Sequence, residues 1–216
     1  MKNIKSLLLF ILVTALSCKK EDRAINWSKE LNGSVWAGEF KYTSGTYTGL
    51  QPFSLILNDG SLRWYQSNGD YPATWSVKDN KITFTFPDNS SISAILSKDA
   101  WSGFLNITNN GLEIANLYRS AIPGPELDNK TFTGKYSTTD AILSFVPGQK
   151  LGFAFGSVGG FTTAYTIYGA GIRYDRPNPN FTIKGYGVFT NSSTIKGVEI
   201  VSSSTINQYI PWYGQK

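Results

Sequence analysis

This 216-residue sequence predicts an all-β fold laid out as an antiparallel meander, and three observations lead to that prediction. Short runs of alternating apolar and polar residues recur along the chain, and turn sequences rich in Asn, Asp and Gly separate them. The composition suits strands joined by tight turns, with 14% aromatic and 16% charged residues and 21 glycines. A proline and glycine stretch near the middle then divides the chain into two halves of similar rhythm.

The chain opens on Met1 to Asp22, MKNIKSLLLFILVTALSCKKED. Lys2 and Lys5 make a positive start, and the apolar run Ser6 to Leu16 is shorter than the ~20 residues a membrane-spanning helix needs, so it reads as a cleavable signal. Ala15-Leu16-Ser17-Cys18 sets a small residue directly before the single cysteine. This resembles the lipobox of bacterial lipoproteins, with the Ser-Cys ending of Bacteroidetes lipoproteins. The resemblance implies cleavage before Cys18 and a diacylglyceryl group on its thiol. It gives a signal peptide over 1–17 and a lipidated tether over 18–30. Lys19-Lys20-Glu21-Asp22 resembles the short tract that directs some such lipoproteins to the outer face of the outer membrane; a charged, solvated tether is the alternative. Acyl chains at ~0.8 kcal/mol per buried CH₂ make such an anchor stable, so the globular part needs no membrane surface of its own.

Removing 17 of 216 residues leaves 199, enough for one large β domain or two small ones. Lys2 and Lys5 leave with the signal, so 18 basic residues face 15 acidic ones, scattered without a stripe for nucleic acid. There is no histidine. That excludes a Ser-His-Asp triad, a Cys-His nucleophile, His-ligated zinc and a histidine general base. With Cys18 acylated, disulfides and thiol chemistry are excluded too, and no metal or cofactor is called for.

In the first half, strands are expected at Val35 to Thr43, Pro52 to Asn58, Leu62 to Gln66, Tyr71 to Lys78, Lys81 to Phe86, Ser91 to Ser97, Trp101 to Thr108 and Leu112 to Arg119. Ile82, Phe84 and Phe86 alternate with Thr83 and Thr85, the period of a strand with one buried face. Asn58-Asp59-Gly60, Asn68-Gly69-Asp70, Asp79-Asn80 and Asn109-Asn110-Gly111 tolerate positive φ, which makes neighbouring strands antiparallel hairpins. No helix is expected after the signal.

Ala121-Ile122-Pro123-Gly124-Pro125-Glu126 makes a poor strand and a plausible linker over 121–126. Beyond it the pattern restarts. LNGSVWAGEF (31–40) aligns without gaps on LDNKTFTGKY (127–136), with Leu, an aromatic, Gly and a second aromatic in register. An internal duplication into β repeats over 31–120 and 127–216 follows. Glycines crowd the second half, among them Gly152, Gly185, Gly187 and Gly197, and they suggest bulges or sharp bends in a curved sheet.

A first strand with an aromatic two residues before a glycine, followed by a regular meander, resembles the lipocalin-like (calycin) domains of many Bacteroidetes lipoproteins. The resemblance implies up-and-down barrels that hold an apolar ligand or carry a partner at the mouth. Two small barrels or one larger barrel or sandwich both accommodate it. Eight short strands close a barrel that side chains nearly fill.

For function, the residues offer carboxylates and rings. Asp59, Asp79 and Asp88 belong to turns. Glu39 is placed toward solvent by alternation, while Glu113 and Glu199 are ambiguous; glycosidase-type catalysis needs two carboxylates together in a buried cleft. A non-catalytic protein is the expectation. Trp64, Tyr65, Trp75, Trp101 and Tyr174 are the candidate binding residues, since exposed rings stack on sugars or line apolar pockets. The loop Asp175-Arg176-Pro177-Asn178-Pro179-Asn180 is polar, stiff and suited to recognition. The expected function is a cell-envelope lipoprotein binding a glycan or a small apolar molecule; the alternative is an accessory subunit docking onto an outer-membrane protein.

Overall fold

The structure, a computed structural model, describes residues 25–42, 49–96, 101–106, 112–156 and 159–216, with backbone alone for 101–106. The signal peptide, Cys18, residues 18–24 of the tether and the Asn109-Asn110-Gly111 turn lie outside the described residues.

A five-residue helix, α1 (Trp27–Leu31), stands where the sequence predicts none. Asn26 caps it by accepting the Lys29 N–H at 3.2 Å, and Leu31 is buried in the first core. Five residues complete little more than one turn, too few for a period to show.

Eight strands follow: β1 (Ser34–Tyr42), β2 (Gln51–Asn58), β3 (Ser61–Gln66), β4 (Gly69–Lys78), β5 (Lys81–Thr85), β6 (Ser91–Leu96), β7 (Trp101–Asn106) and β8 (Leu112–Ser120). They pair antiparallel in the order β7-β6-β5-β4-β3-β2-β1-β8. The sheet curls over a core that includes Trp36, Phe40, Phe53, Trp64, Ile82 and Phe84. Alternation predicts those last two correctly. Gly60 and Asp79 take positive φ in their turns, as the turn sequences predict. One turn shifts. Gln66 pairs with Gly69, so Ser67 and Asn68 form the turn while Gly69 and Asp70 join β4.

After a single 3-10 turn at Pro125–Leu127, the pattern repeats with β9 (Thr131–Tyr136), β10 (Thr139–Val146), β11 (Lys150–Ala154), β12 (Gly160–Tyr168), β13 (Gly171–Arg176), β14 (Thr182–Asn191), β15 (Thr194–Ser202) and β16 (Asn207–Gln215). These close into a barrel, because β9 pairs with both β10 and β16. In the same way β1 pairs with both β2 and β8. Gly38 and Gly134 hold the same place in the two first strands: a Cβ there would come within 2.2 Å of the Asn116 carbonyl and 2.0 Å of the Tyr213 carbonyl, each on the last strand of its sheet. One larger barrel is not formed, since each sheet wraps its own core.

The glycines of β14 and β15, which lie in this closed and curved sheet, also make room for rings. A Cβ on Gly185 would lie 2.1 Å from the Tyr174 ring, and Cβ atoms on Gly187 and Gly197 would lie 2.3 Å and 2.0 Å from the Trp212 ring. These positions are bare so that two rings from other strands can lie flat on the barrel wall.

The outer faces of the two sheets meet. Val35, Ala37, Ile56 and Tyr65 pack against Tyr168, Ala170, Tyr186 and Val188. Around this apolar patch, Ser54 Oγ and the Tyr186 hydroxyl are 2.6 Å apart, and Arg173 donates to the Gln66 and Gly69 carbonyls at 2.8 Å and 2.7 Å. Glu39 belongs to this junction rather than to solvent. Alternation places it on the outer face of β1 correctly, but the second sheet covers that face, leaving Glu39 8% exposed and paired with Lys196 at 2.6 Å.

Candidate functional site

One end of the closed barrel holds a buried polar cluster inside a ring of aromatics. Glu199 on β15 points inward and is fully buried. Its position follows from the wall beneath it. Glu199 pairs with Gly185, and its neighbour two residues back, Gly197, pairs with Gly187, so the carboxylate rises from a floor of side-chain-free backbone. Tyr174 and Trp212 lie on that floor, their ring centres 6.3 Å apart.

Arg176, the last residue of β13, donates from Nη2 to Glu199 Oε2 at 2.7 Å and to the Tyr136 hydroxyl at 3.1 Å. The Tyr136 hydroxyl donates to the same Glu199 oxygen. The guanidinium carbon sits 4.5 Å above the Phe161 ring, a cation-π contact. Its side chain is 23% exposed, so Arg176 marks the boundary between the buried carboxylate and solvent at the barrel mouth. The Pro177-Asn178-Pro179-Asn180 loop continues from it, closed by Asn178 Oδ1 accepting the Asn180 and Phe181 N–H groups.

The walls are aromatic. Phe153 stacks on Phe161 at 4.8 Å and meets Trp212 edge-on at 5.3 Å, while Tyr136 lies 5.0 Å from Phe155. Tyr136, Phe155 and Phe161 are half-buried, so the ring of aromatics reaches the mouth.

Low polarity and the carboxylate act together on the neighbouring groups. Burial first, and then the Glu199 charge, push the Tyr136 phenol well above its ordinary value, and the same two causes raise Tyr174. Burial opposes the Arg176 charge most strongly, but Glu199, with smaller contributions from Tyr136 and Tyr174, outweighs it and the guanidinium pKa rises. The cluster is a charged pair flanked by two neutral phenols.

Four polar atoms here are buried and lack a hydrogen-bond partner: Glu199 Oε1, Arg176 Nε, the Tyr174 hydroxyl and Trp212 Nε1. The Tyr174 hydroxyl faces Glu199 closely enough that, beyond burial, both the carboxylate's charge and a hydrogen bond to it raise the phenol's pKa, although that contact falls short of good hydrogen-bond geometry.

Of the residues that the sequence singles out, Tyr174 belongs to this cluster. Trp64 is core of the first sheet, stacked on Phe53 at 4.2 Å with its Nε1 donating to Gln66 at 3.0 Å. Tyr65 faces outward as alternation requires, but into the junction, 5.7 Å from Tyr168. Trp75 is 8% exposed in the first core. The Trp101 side chain lies outside the described residues. Glu113 pairs with Lys41 at 3.2 Å on the surface of the first sheet, so it does not join Glu199. Sequence reasoning misses Tyr136, Trp212, Phe155 and Phe161 as partners of Tyr174. Arg176 is part of the stretch that the sequence marks as suited to recognition, although Asp175 and Arg176 complete β13 and the loop itself starts at Pro177. Among the described residues no group of His, Cys, Asp or Glu could hold a metal ion, and no helix is long and apolar enough to cross a membrane.

No protein family matches the chain, and no curated protein gives a significant match. A solved structure of a protein with unknown function from the DUF3598 family of Nostoc punctiforme PCC 73102 aligns with 89% of this chain and 99% of that one. The identity is 11% and the TM-score 0.34, a likeness that carries no argument about this chain.

Proposed function

We propose that the chain is a non-catalytic, cell-envelope lipoprotein, anchored at the outer membrane through Cys18, that binds a small ligand at the mouth of its second barrel. The observation that supports the binding site is the set of four unpartnered polar atoms inside an aromatic wall, beneath the partly exposed Arg176. Buried polar groups are nearly always paired, and leaving one unpaired costs about 1–3 kcal/mol. A cluster of them is a site in want of a partner. Binding is favoured over turnover because the carboxylate acting on Arg176, Tyr136 and Tyr174 is Glu199, and glycosidase-type chemistry needs two carboxylates together.

Native mass spectrometry of the full-length protein, solubilised from the membrane of a bacterial host, tests this reading. The expected spectrum carries the mass of a lipid that is lost in Cys18→Ser, together with a small-molecule adduct that is weakened in Glu199→Gln. A bare chain with neither mass overturns it.

A second reading is an accessory subunit that docks onto an outer-membrane protein. Ile142, Val146 and Tyr213 support it, standing outward at 45%, 42% and 41% exposure on β10 and β16. Co-purification of a partner from detergent-solubilised membranes, lost in Ile142→Asp, is the expected result; a monomer on its own counts against it.

A further inference from the structure

The end of the second barrel opposite Arg176 carries a cavity of about 510 Å³, beneath the linker that joins the two sheets. The strand β9 spans the distance between the two ends, starting beside Lys130 in the cavity wall and finishing with Tyr136 at the mouth. Ile122 and Pro123 of the linker, Leu127 of the 3-10 turn and Phe189 of β14 supply the apolar lining. Pro123, Leu127 and Phe189 are buried, while Ile122 is exposed at the rim. Ser120 Oγ donates to the Phe189 carbonyl at 2.8 Å, which ties the start of the linker to the barrel and holds that wall in place. The volume is that of a small-molecule site, and such sites favour junctions of this kind.

The polar part of the lining is rich in donors. Lys130 forms no ion pair among the described residues. Lys216 donates to the Ser192 carbonyl at 2.9 Å with its Nζ 5.2 Å from the centre of the Phe132 ring, which leaves two of its N–H groups to give. Asn191 Oδ1 already accepts from Ser193, so its NH₂ also remains to donate. Glu126 supplies the one negative side chain of the lining, and its Oε1 is taken by the Gly124 N–H at 3.0 Å. Two ammonium groups therefore stand against one carboxylate beside an apolar hollow.

An alkylammonium would meet two like charges here, and a neutral chain would gain nothing from them. A carboxylate offers two oxygens to the free donors, and an alkyl chain asks for no polar partner along Ile122, Pro123, Leu127 and Phe189. We infer that this cavity binds a medium-chain carboxylate, its alkyl body on those four residues and its head group on the Lys130 and Lys216 ammonium groups. The site is separate from the barrel mouth, and its ligand ties the linker to the second barrel.

The test uses the full-length protein in phosphatidylcholine nanodiscs, ¹³C-labelled at isoleucine methyl groups, with the Ile122 peak assigned by Ile122→Val. The probes are octanoate, 1-octanol and octylamine at neutral pH, with acetate as the head group alone. Octanoate is expected to move the Ile122 peak saturably, at least tenfold more tightly than the other three. Both lysines are exposed, and the double variant Lys130→Gln, Lys216→Gln should weaken octanoate about tenfold, leave 1-octanol unchanged and keep the remaining isoleucine peaks in place. Octanol or octylamine binding as tightly as octanoate overturns the inference, as does full octanoate affinity in the double variant. An Ile122 peak that no probe moves overturns it as well.

Discussion

Glu199 sets the character of the barrel mouth. A carboxylate removed wholly from water is stable only when paired, and its charge partner here is Arg176. Removing that partner strands a buried charge, so Arg176→Ala should lower unfolding free energy by about 3 kcal/mol, as read from urea denaturation. The phenols make a second, pH-linked prediction. Tyr136 and Tyr174 are held protonated in the folded chain, with pKa values raised above the ordinary 10.0. The stability that they lend is complete below that value and is lost as pH rises past it, because the unfolded chain releases its phenolic protons first. Denaturation midpoints should therefore fall between about pH 9 and pH 11, and the double variant Tyr136→Phe, Tyr174→Phe should flatten that fall. An equally steep fall in the double variant contradicts the assignment.

The strands β14 and β15 show why local sequence carries a strand but not its purpose. Alternation and turn chemistry reveal the meander, since Ile82 and Phe84 are buried where the period of two places them. The same alternation fails at Glu199, because β15 is buried on both faces: Val198, fully buried beside Tyr186, lies on one, and Gly197 and Glu199 lie on the other. The glycines point correctly to a strongly curved sheet but not to the rings that they admit: the ring that each one accommodates comes from another strand, and no local pattern records it. Gly197→Ala would drive a methyl into the rigid Trp212 ring and should cost about 3 kcal/mol. Gly152, in β11, has its nearest neighbour at 3.6 Å, so Gly152→Ala should stay within about 0.5 kcal/mol of the wild type. Thermal melts of the two variants side by side check the contrast; equal losses contradict it.

At the scale of the whole molecule, two sheets with the same strand connectivity share one junction. Tyr186 is its centre, fully buried on the outer face of β14 and bonded to Ser54 of the first sheet. The repeated decapeptides make two similar units legible in the sequence, but they do not reveal that the outer faces of β1 and β14 are buried against each other. Burial of both faces of β1 follows from that contact, and Glu39 becomes a junction residue through it. The junction predicts a single cooperative unfolding transition. Tryptophan emission, dominated by the first sheet, and the ¹⁵N signal of Trp212 in the second should fall together in urea. Tyr186→Ala should cost about 3–5 kcal/mol and separate the two curves.

The central claim is that the second barrel takes a small ligand at its mouth, where the partly exposed Arg176 covers the buried Glu199. A crystal structure of the full-length protein, grown with and without the small molecule that native mass spectrometry detects, tests it most directly. The account predicts that molecule bound against Arg176, Phe155 and Phe161. The same molecule bound elsewhere, with the mouth closed by its own side chains in both crystals, would contradict it.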